Sequence, residues 1–574
     1  MVQKQASMEI WTIDCDHLFE NYANFHRAFP DYTGNVCGMA FGRPDRHEVV
    51  HVFFCIEDML NQGTVEYITS ALPADIVLVG NVSTGHSITL SGDQPISLQL
   101  NKEMLESRDR SAFLEENGQF NHGIVSYSGM SLVTAVGFEV ALRNGREADD
   151  LRHAVTRLRA ASFRFVFINK ELNVVLKEHD EKDARPNVLS ELFTGKAEVF
   201  PHKNCVNFVA MQSLTRNTKD DKEDQKLVPT VKITRDGQQM YKMMCLFELV
   251  VPIQKEDSSF SVYSKIVETL KRRSVSLLYV NLSAIKSKKP IGPTLSATFL
   301  PKDWRSLLHV QIPQWSETDL KSHRLHVHKL LNLPLDRPVI RVAQSIAFGG
   351  KSQLLRSPHE AIANYKSLGR LYLMKGPYDY HHYLQDNIDD SGWGCAYRSL
   401  QSIWSWYRLN GYTDEAVPSH RQIQQCLVDI GDKEEKFVGS RQWIGSTEIG
   451  FVLDSLLGVE SKYIVTNSGS EVVERARELA VHFQITGTPV MIALEHISSK
   501  QMIGGNMLAH TILGVDWDES SGEVRFLVLD PHYTGSDHLQ TVLTKGWCAW
   551  KPANFWNPAT FYNLCLPQLP QDTI

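Results

Sequence analysis

The sequence predicts a mixed α/β chain of the α+β kind, divided into two regions. Three observations carry this. Short runs rich in Val, Phe and Ile alternate with helical stretches through the first half. At 348–357 (FGGKSQLLRS) glycines and polar residues break that texture and mark a boundary near residue 350. Beyond it, a helical period at 394–410 is followed by strand-like runs that end in a hairpin. Two domains result, 1–350 and 351–574, within the range that about 150 residues per domain allows a 574-residue chain. No fixed repeat period is visible, which argues against a solenoid or propeller.

Composition narrows the function classes. With 43% hydrophobic and 22% charged residues, the chain reads as soluble and globular, long enough for more than one core. Its formal charge of −7 argues against a dedicated nucleic-acid binder, which normally carries a basic surplus. The nine cysteines are odd in number and sparse, and no C-x-x-C occurs. Neither a disulfide framework nor a structural zinc site is therefore expected. The segment MVQKQASMEIWTIDCDHLFE has no continuous apolar core of a secretory signal, and no apolar run reaches the roughly 18 residues that span a bilayer. A reducing compartment, the cytosol, is expected, with any membrane address supplied by a partner.

In the first half, strands are expected at 49–56 (VVHVFFCI), 76–79 (IVLV), 162–169 (SFRFVFIN), 244–251 (MCLFELVV) and 276–280 (SLLYV). A helix is expected at 149–161 (DDLRHAVTRLRAA). The charged run 216–226 (RNTKDDKEDQK) reads as a solvated loop and 286–289 (KSKK) as a surface turn. A strand-like run at 339–343 precedes the boundary.

The second region opens with a Tyr- and His-rich loop, 376–390 (GPYDYHHYLQDNIDD). In the helix at 394–410, Ala396, Leu400, Ile403, Trp404 and Tyr407 share one face at spacings of three and four. Asp390 or Ser391 suits its N-cap and Gly411 its C′ position. A strand at 462–466, a helix at 471–483 and a strand at 490–494 follow. A glycine-rich loop, 503–506 (IGGN), leads into a hairpin of 510–517 (HTILGVDW) and 523–530 (EVRFLVLD), joined by 518–522 (DESSG). A buried helix first and a sheet after it matches the order of the papain-like thiol hydrolases.

The most informative stretch is 389–401, DDSGWGCAYRSLQ. It places Cys395 in the first helical turn, where exposed N–H groups and the helix dipole stabilise a thiolate, the nucleophilic form. Gly392 and Gly394 leave room for a substrate backbone, and Trp393 suits the roof of a narrow channel. A thiolate needs a base, and the base needs an orienting group. Asp530-Pro531-His532 supplies one constellation at a strand end, and His510, at the start of the preceding strand, supplies another. On spacing alone, Cys395–His510–Asp530 competes with Cys395–His532–Asp530.

GWGCAYRSLQ together with LDPHYTG resembles the ubiquitin-fold-modifier (UFM) specific proteases, cysteine proteases with a papain-like core. The string HHYLQDNIDDSGWGCAYRSLQ and the long N-terminal extension resemble their longer, type-2 form. The resemblance covers about residues 376–570 and is weak over the first 350. It implies that Cys395 is the nucleophile and that Asp530 and His532 are the orienting acid and the base, leaving His510 as a conditional supporting residue. It also implies a tyrosine hydroxyl facing the oxyanion, which maps onto Tyr383. Gln385 is its rival, since papain-type enzymes use a glutamine there. Tyr378 and Tyr380 are read as packing residues, and Arg398 and Gln401 as structural. No metal or organic cofactor is implied.

The implied reaction is trimming of the UFM precursor to expose a glycine, and cleavage of the isopeptide bond between that glycine and a target lysine. A groove walled by Trp393 and glycines 504–505 would suit such a small terminal residue. Two alternatives stand beside it. The autophagy cysteine proteases also carry a GWGC-type helix start and an Asp-Pro-His box, and the domain could be a catalytically silent scaffold.

In the first half, 35–58 and 75–86 faintly resemble the MPN fold, an α/β fold of certain zinc deubiquitinases. The active form needs a glutamate and an H-x-H-x₇-S-x₂-D set. Residues 80–86 (GNVSTGH) lack the H-x-H pair, and His326-Val327-His328 lacks the Ser and Asp after it, so strand alternation accounts for that H-x-H. The N-terminal region is therefore read as non-catalytic. The resemblance implies that it recruits substrates or a membrane-bound adaptor at the endoplasmic reticulum.

Overall fold

A computed structural model of the chain describes residues 10–84, 96–116, 120–122, 130–161, 163–168, 173–177, 205–207, 209–212, 240–254, 257–301, 304–346, 354–495 and 508–570. The loop expected at 216–226 and the glycine loop at 503–506 lie outside these residues. The chain forms two compact units, Met1–Leu335 with Ser345–Gly350, and Asp336–Gln344 with Lys351–Ile574.

The first unit holds a six-stranded mixed sheet in the order Ile96–Gln99, Val77–Ser83, Cys37–Arg43, Glu48–Cys55, Trp11–Ile13 and Phe120–His122. Helix Cys15–Ala28 packs on it, started by the Asp14 carboxylate, which accepts the backbone N–H groups of Asp16 and His17. A long antiparallel pair, Met130–Arg143 with Met240–Ile253, builds a second layer against helices Glu147–Arg159 and Ser259–Lys286.

Three expectations in this half need correction. The run 276–280 is not a strand but lies inside the helix Ser259–Lys286. A five-residue apolar run cannot separate strand from helix. Here the neighbours do, because the buried Val262, Ile266, Leu270, Leu277, Val280 and Ala284 recur at helical spacing. His326 and His328 lie on helix Glu317–Leu330 rather than on a strand. Two residues apart on a helix they point to different sides: His326 meets the Tyr279 hydroxyl at 3.2 Å and His328 the Pro334 carbonyl at 2.8 Å. The run 339–343 is not a strand: 339–341 have no regular structure and Val342–Gln344 form a 3-10 turn.

The second unit is built around helix Cys395–Leu409, which packs on strands Val490–Glu495 and Ala509–Trp517 of a seven-stranded antiparallel sheet. The sheet runs Ser461–Thr466, Phe561–Pro567, Val490–Glu495, Ala509–Trp517, Val524–Leu529, Cys548–Pro552, with Arg370–Leu373 also paired to Ala509–Trp517. The apolar face of the helix packs as the spacing predicts. The opposite, polar face is buried as well: Arg398, Ser399, Gln401, Ser402 and Ser405 are all covered. What covers it includes the Tyr- and His-rich loop. Ser402 Oγ accepts the His381 N–H at 3.0 Å, and Ser405 Oγ accepts the Asp379 N–H at 2.9 Å. Buried hydroxyls thus take up backbone donors that a loop lying against protein cannot give to water.

Two local details differ from expectation. The N-cap of this helix is Gly394, not Asp390 or Ser391, and no side chain caps it. The helix expected at 471–483 is two, Gly469–Glu474 and Ala476–Ile485, broken at Arg475. Gly411 follows the helix end with φ +82°, as a C′ glycine does. The strands expected at 462–466 and 490–494 and the hairpin are present.

Candidate active site

Strand Val524–Leu529 ends directly at Asp530. Pro531 then fixes a tight turn in which the Asp530 carboxylate accepts the His532 backbone N–H at 3.0 Å. The same oxygen, Oδ1, lies 2.6 Å from His532 Nδ1, so one carboxylate sets both the backbone turn and the ring orientation. The sheet register supplies a second histidine. Thr511 pairs with Leu529, which makes His510 and Asp530 the next cross-strand neighbours. His510 Nε2 lies 3.6 Å from Asp530 Oδ2.

Helix Cys395–Leu409 brings Cys395 to this strand end, and the Cys395 thiol hydrogen-bonds with His532. Cys395 is buried, 5% exposed. Burial by itself would lower the His532 pKa. Its hydrogen bonds to Asp530 and Cys395 outweigh that and push it up from 6.5 to about 9. Burial would likewise raise Asp530, but its bonds to His510 and His532 hold it well below the usual carboxylate range. The group can therefore store an imidazolium beside the sulfur at neutral pH, the state a thiolate nucleophile needs.

The loop 376–390 brings Tyr383 to the same point. Its N–H donates to the Pro531 carbonyl at 3.0 Å, and its ring stands edge-on to His532 with centroids 5.3 Å apart. The Tyr383 hydroxyl hydrogen-bonds with the Cys395 thiol and the Gly392 N–H. Burial and the neighbouring thiol raise its pKa, which keeps it a donor. Tyr380, read as a packing residue, is fully buried and also donates to the Asp530 carbonyl at 2.5 Å, tying the loop to the Asp-Pro-His turn.

Gln385 is turned away from this point. Its Oε1 accepts the His382 N–H at 3.0 Å and its Nε2 donates to Asp537 at 3.2 Å. Trp393 is half-buried against Tyr397 and His420. Glycines 504 and 505, the other expected groove wall, lie outside the described residues. Arg398 is buried and holds the loop, with Nη1 2.7 Å from Asp386 and Nη2 2.7 Å from the Gln385 carbonyl. Gln401 donates to the Pro418 carbonyl at 2.9 Å. His510, Asp530 and His532 offer ligand atoms within 4.8 Å of one another, a set that could accept a divalent cation, although thiol chemistry makes no use of one. Sequence reasoning passed over His420, whose Nε2 lies 3.0 Å from Asp390 Oδ2. The capping box of its helix, Ser419 with Gln422, marked the helix start but not the role of its first residue.

Helix first, sheet after, with thiol and imidazole meeting where the two join, is the plan of the papain-like cysteine peptidases. Comparison with known proteins agrees. Residues 369–565 match Peptidase family C78, and residues 37–119 match the Ufm1 specific protease UfSP N-terminal MPN domain. Residues 179–353 match the N-terminal region of ubiquitin-fold modifier 1 specific protease 2. The Ufm1-specific proteases of Caenorhabditis briggsae and Caenorhabditis elegans are each 49% identical over 99% of this chain and 96% of their own. Ufm1-specific protease 2 of Danio rerio is 45% identical over 58% of this chain and 82% of its own. The crystal structure of UfSP from C. elegans matches with a TM-score of 0.77 at 44% identity, covering 98% of this chain and all of that one. The chain belongs to the Ufm1-specific proteases, and its mixed α/β first half carries the MPN-like domain that the sequence faintly suggested.

Proposed function

We propose that this cysteine protease trims the C-terminus of the UFM precursor and releases UFM from lysines of conjugated proteins. One observation carries the mechanism: the Cys395 sulfur meets both an Asp530-ordered imidazole and the Tyr383 hydroxyl. Cys395 attacks the carbonyl carbon of the terminal glycine, and the oxyanion is met by the Cys395 N–H and the Tyr383 hydroxyl. His532 passes its proton to the departing amine, leaving a thioester. It then takes a proton from water, which hydrolyses the thioester and restores the enzyme. Asp530 holds the ring and balances its charge.

The first 350 residues act as a non-catalytic recruiting region for conjugates, or for an adaptor that brings the enzyme to the endoplasmic reticulum. Among the described residues no helix is long and apolar enough to cross a membrane, so such an address would come from a partner. The test uses the purified chain and its Cys395→Ala variant with two substrates, the UFM precursor and the precursor of the autophagy modifier. Trimming of the UFM precursor alone, lost in the variant, is the expected result. Trimming of the autophagy precursor alone would favour the related autophagy-type activity. Trimming of neither would leave a binding domain.

A further inference from the structure

We propose that Asp390 is a positioning residue for the oxyanion donor, its buried carboxylate tying the Tyr383 loop to the first turn of the nucleophile helix. The inference rests on the reading that Tyr383 faces the oxyanion.

Asp390 has no exposed side-chain surface. Its Oδ1 accepts the N–H of Leu384, the residue directly after Tyr383, at 2.8 Å. Its Oδ2 lies 2.6 Å from Arg398 Nε and 3.0 Å from His420 Nε2. Its carbonyl accepts the N–H of Gly394, the N-cap of the nucleophile helix, at 2.8 Å. One residue therefore holds the neighbour of the oxyanion donor, the cap of the nucleophile helix and the helix body one turn further on.

The contact is close enough to restrict the sequence around it. A Cβ at position 394 would stand 2.6 Å from Asp390 Cβ and 2.7 Å from its Oδ2, so only glycine admits this approach. The loop it holds does not favour its own shape. Leu384, Asp386 and Asn387 all adopt positive φ, 63°, 58° and 58°, in the left-handed region that non-glycine residues avoid. Such a backbone persists only where its surroundings over-determine it. Asp390 and Arg398 supply that restraint from the helix side, Asp390 through Leu384 and Arg398 through Asp386 and the Gln385 carbonyl. Arg398 and His420 in turn balance the buried carboxylate, which would otherwise be costly to keep ionised. The negative charge of Asp390 also adds to burial and Cys395 in disfavouring a phenolate at Tyr383, so the hydroxyl keeps the proton it must donate.

A residue that acts through Tyr383 has a signature that a merely structural residue lacks: its loss is not additive with loss of the Tyr383 hydroxyl. The experiment is a double-mutant cycle on the full chain, Asp390→Asn against Tyr383→Phe, with UFM precursor as substrate. Asparagine keeps the shape and the acceptor for Leu384 but removes the charge. Asp390→Asn is expected to lower kcat by about 10- to 100-fold with KM changed less than about twofold. In the Tyr383→Phe background the same substitution should lower kcat by less than about threefold. Should Asp390→Asn fail to fold, His420→Gln enters the same cycle, with the same non-additivity expected. Independent, multiplying losses would overturn the inference, as would full activity of Tyr383→Phe. A wild-type chain inert on the precursor would overturn the proposed function and the inference with it, whereas an active wild type with multiplying losses removes the inference alone.

Discussion

Asp530 Oδ1 stands 2.6 Å from His532 Nδ1, while its other oxygen, Oδ2, stands 3.6 Å from His510 Nε2. The carboxylate meets both histidines that spacing allowed as the base, but unequally. His532 makes the shorter contact to it and also hydrogen-bonds with the Cys395 thiol.

The two histidines should therefore respond differently to substitution. His532→Ala removes the imidazole proposed as the proton carrier and should lower kcat/KM on the UFM precursor by at least about 10³-fold. His510→Ala removes only the longer contact and should cost less, about 10-fold or below, by loosening Asp530. Side-by-side kinetics of the two variants check this. The reverse order would move the base to His510.

The alkaline limit of activity should sit at about pH 9. His532 is raised from its ordinary 6.5 to about 9 in the folded chain. A raised pKa means that the imidazolium and its partners contribute stability that is complete below about pH 6.5 and is lost as pH rises through about 9. Activity should hold through neutrality and fall as pH rises through about 9, with Tm declining between about pH 6.5 and 9. A kcat/KM profile taken with Tm over about pH 6 to 10 tests both. Asp530→Asn should move the alkaline limb down, because the bond that raises His532 is weakened.

Tyr383 and Gln385 are the two candidates for the oxyanion donor, and their contacts differ. Tyr383→Phe removes a hydroxyl at the sulfur and should lower kcat by about 10²- to 10³-fold, with little change in KM. Gln385→Ala removes contacts to His382 and Asp537 within the loop, and should act more weakly. Steady-state kinetics that reverse this order would reassign the donor.

The second unit includes a segment from before the expected boundary. The Ala343 N–H donates to Asp414 Oδ1 at 2.8 Å, Arg341 approaches the same carboxylate at 3.7 Å, and the turn Val342–Gln344 packs against the nucleophile helix. A fragment starting at residue 336 should therefore have a higher Tm than one starting at 351. At about 1 kcal/mol for the lost bonds, the gap should be about 2–4 °C for a unit of this size. Thermal melts of the two fragments check it. The longer fragment should trim a small precursor as the full chain does, while the full chain should be better on large conjugates.

Local structure around the candidate site residues was legible without coordinates. Gly394-Cys395 at a helix start and Asp530-Pro531-His532 at a strand end depend on local geometry, and the helix, the strand and the turn formed where the pattern placed them. Features that depend on distant neighbours were not legible. The run 276–280 looked like a strand because five residues carry no period, and only a 28-residue helix around it reveals one. Asp390 read as an N-cap because its side chain type suits a cap. Its partners, Arg398 and His420, lie 8 and 30 residues away, and no local rule names them.

The amino-acid sequence by itself determined the chemical inventory: a thiol at a helix start, a carboxylate and histidine locked in a proline turn, and a tyrosine loop twelve residues before the thiol. Tertiary structure decided which of these meet. Sheet register sets His510 across from Asp530, the thiol hydrogen-bonds with His532, and the buried polar face of helix Cys395–Leu409 holds the loop that carries Tyr383 and Gln385. The physical reason is that local backbone preferences act over a few residues. Hydrogen bonding of buried polar groups acts between whichever segments the packed core brings together.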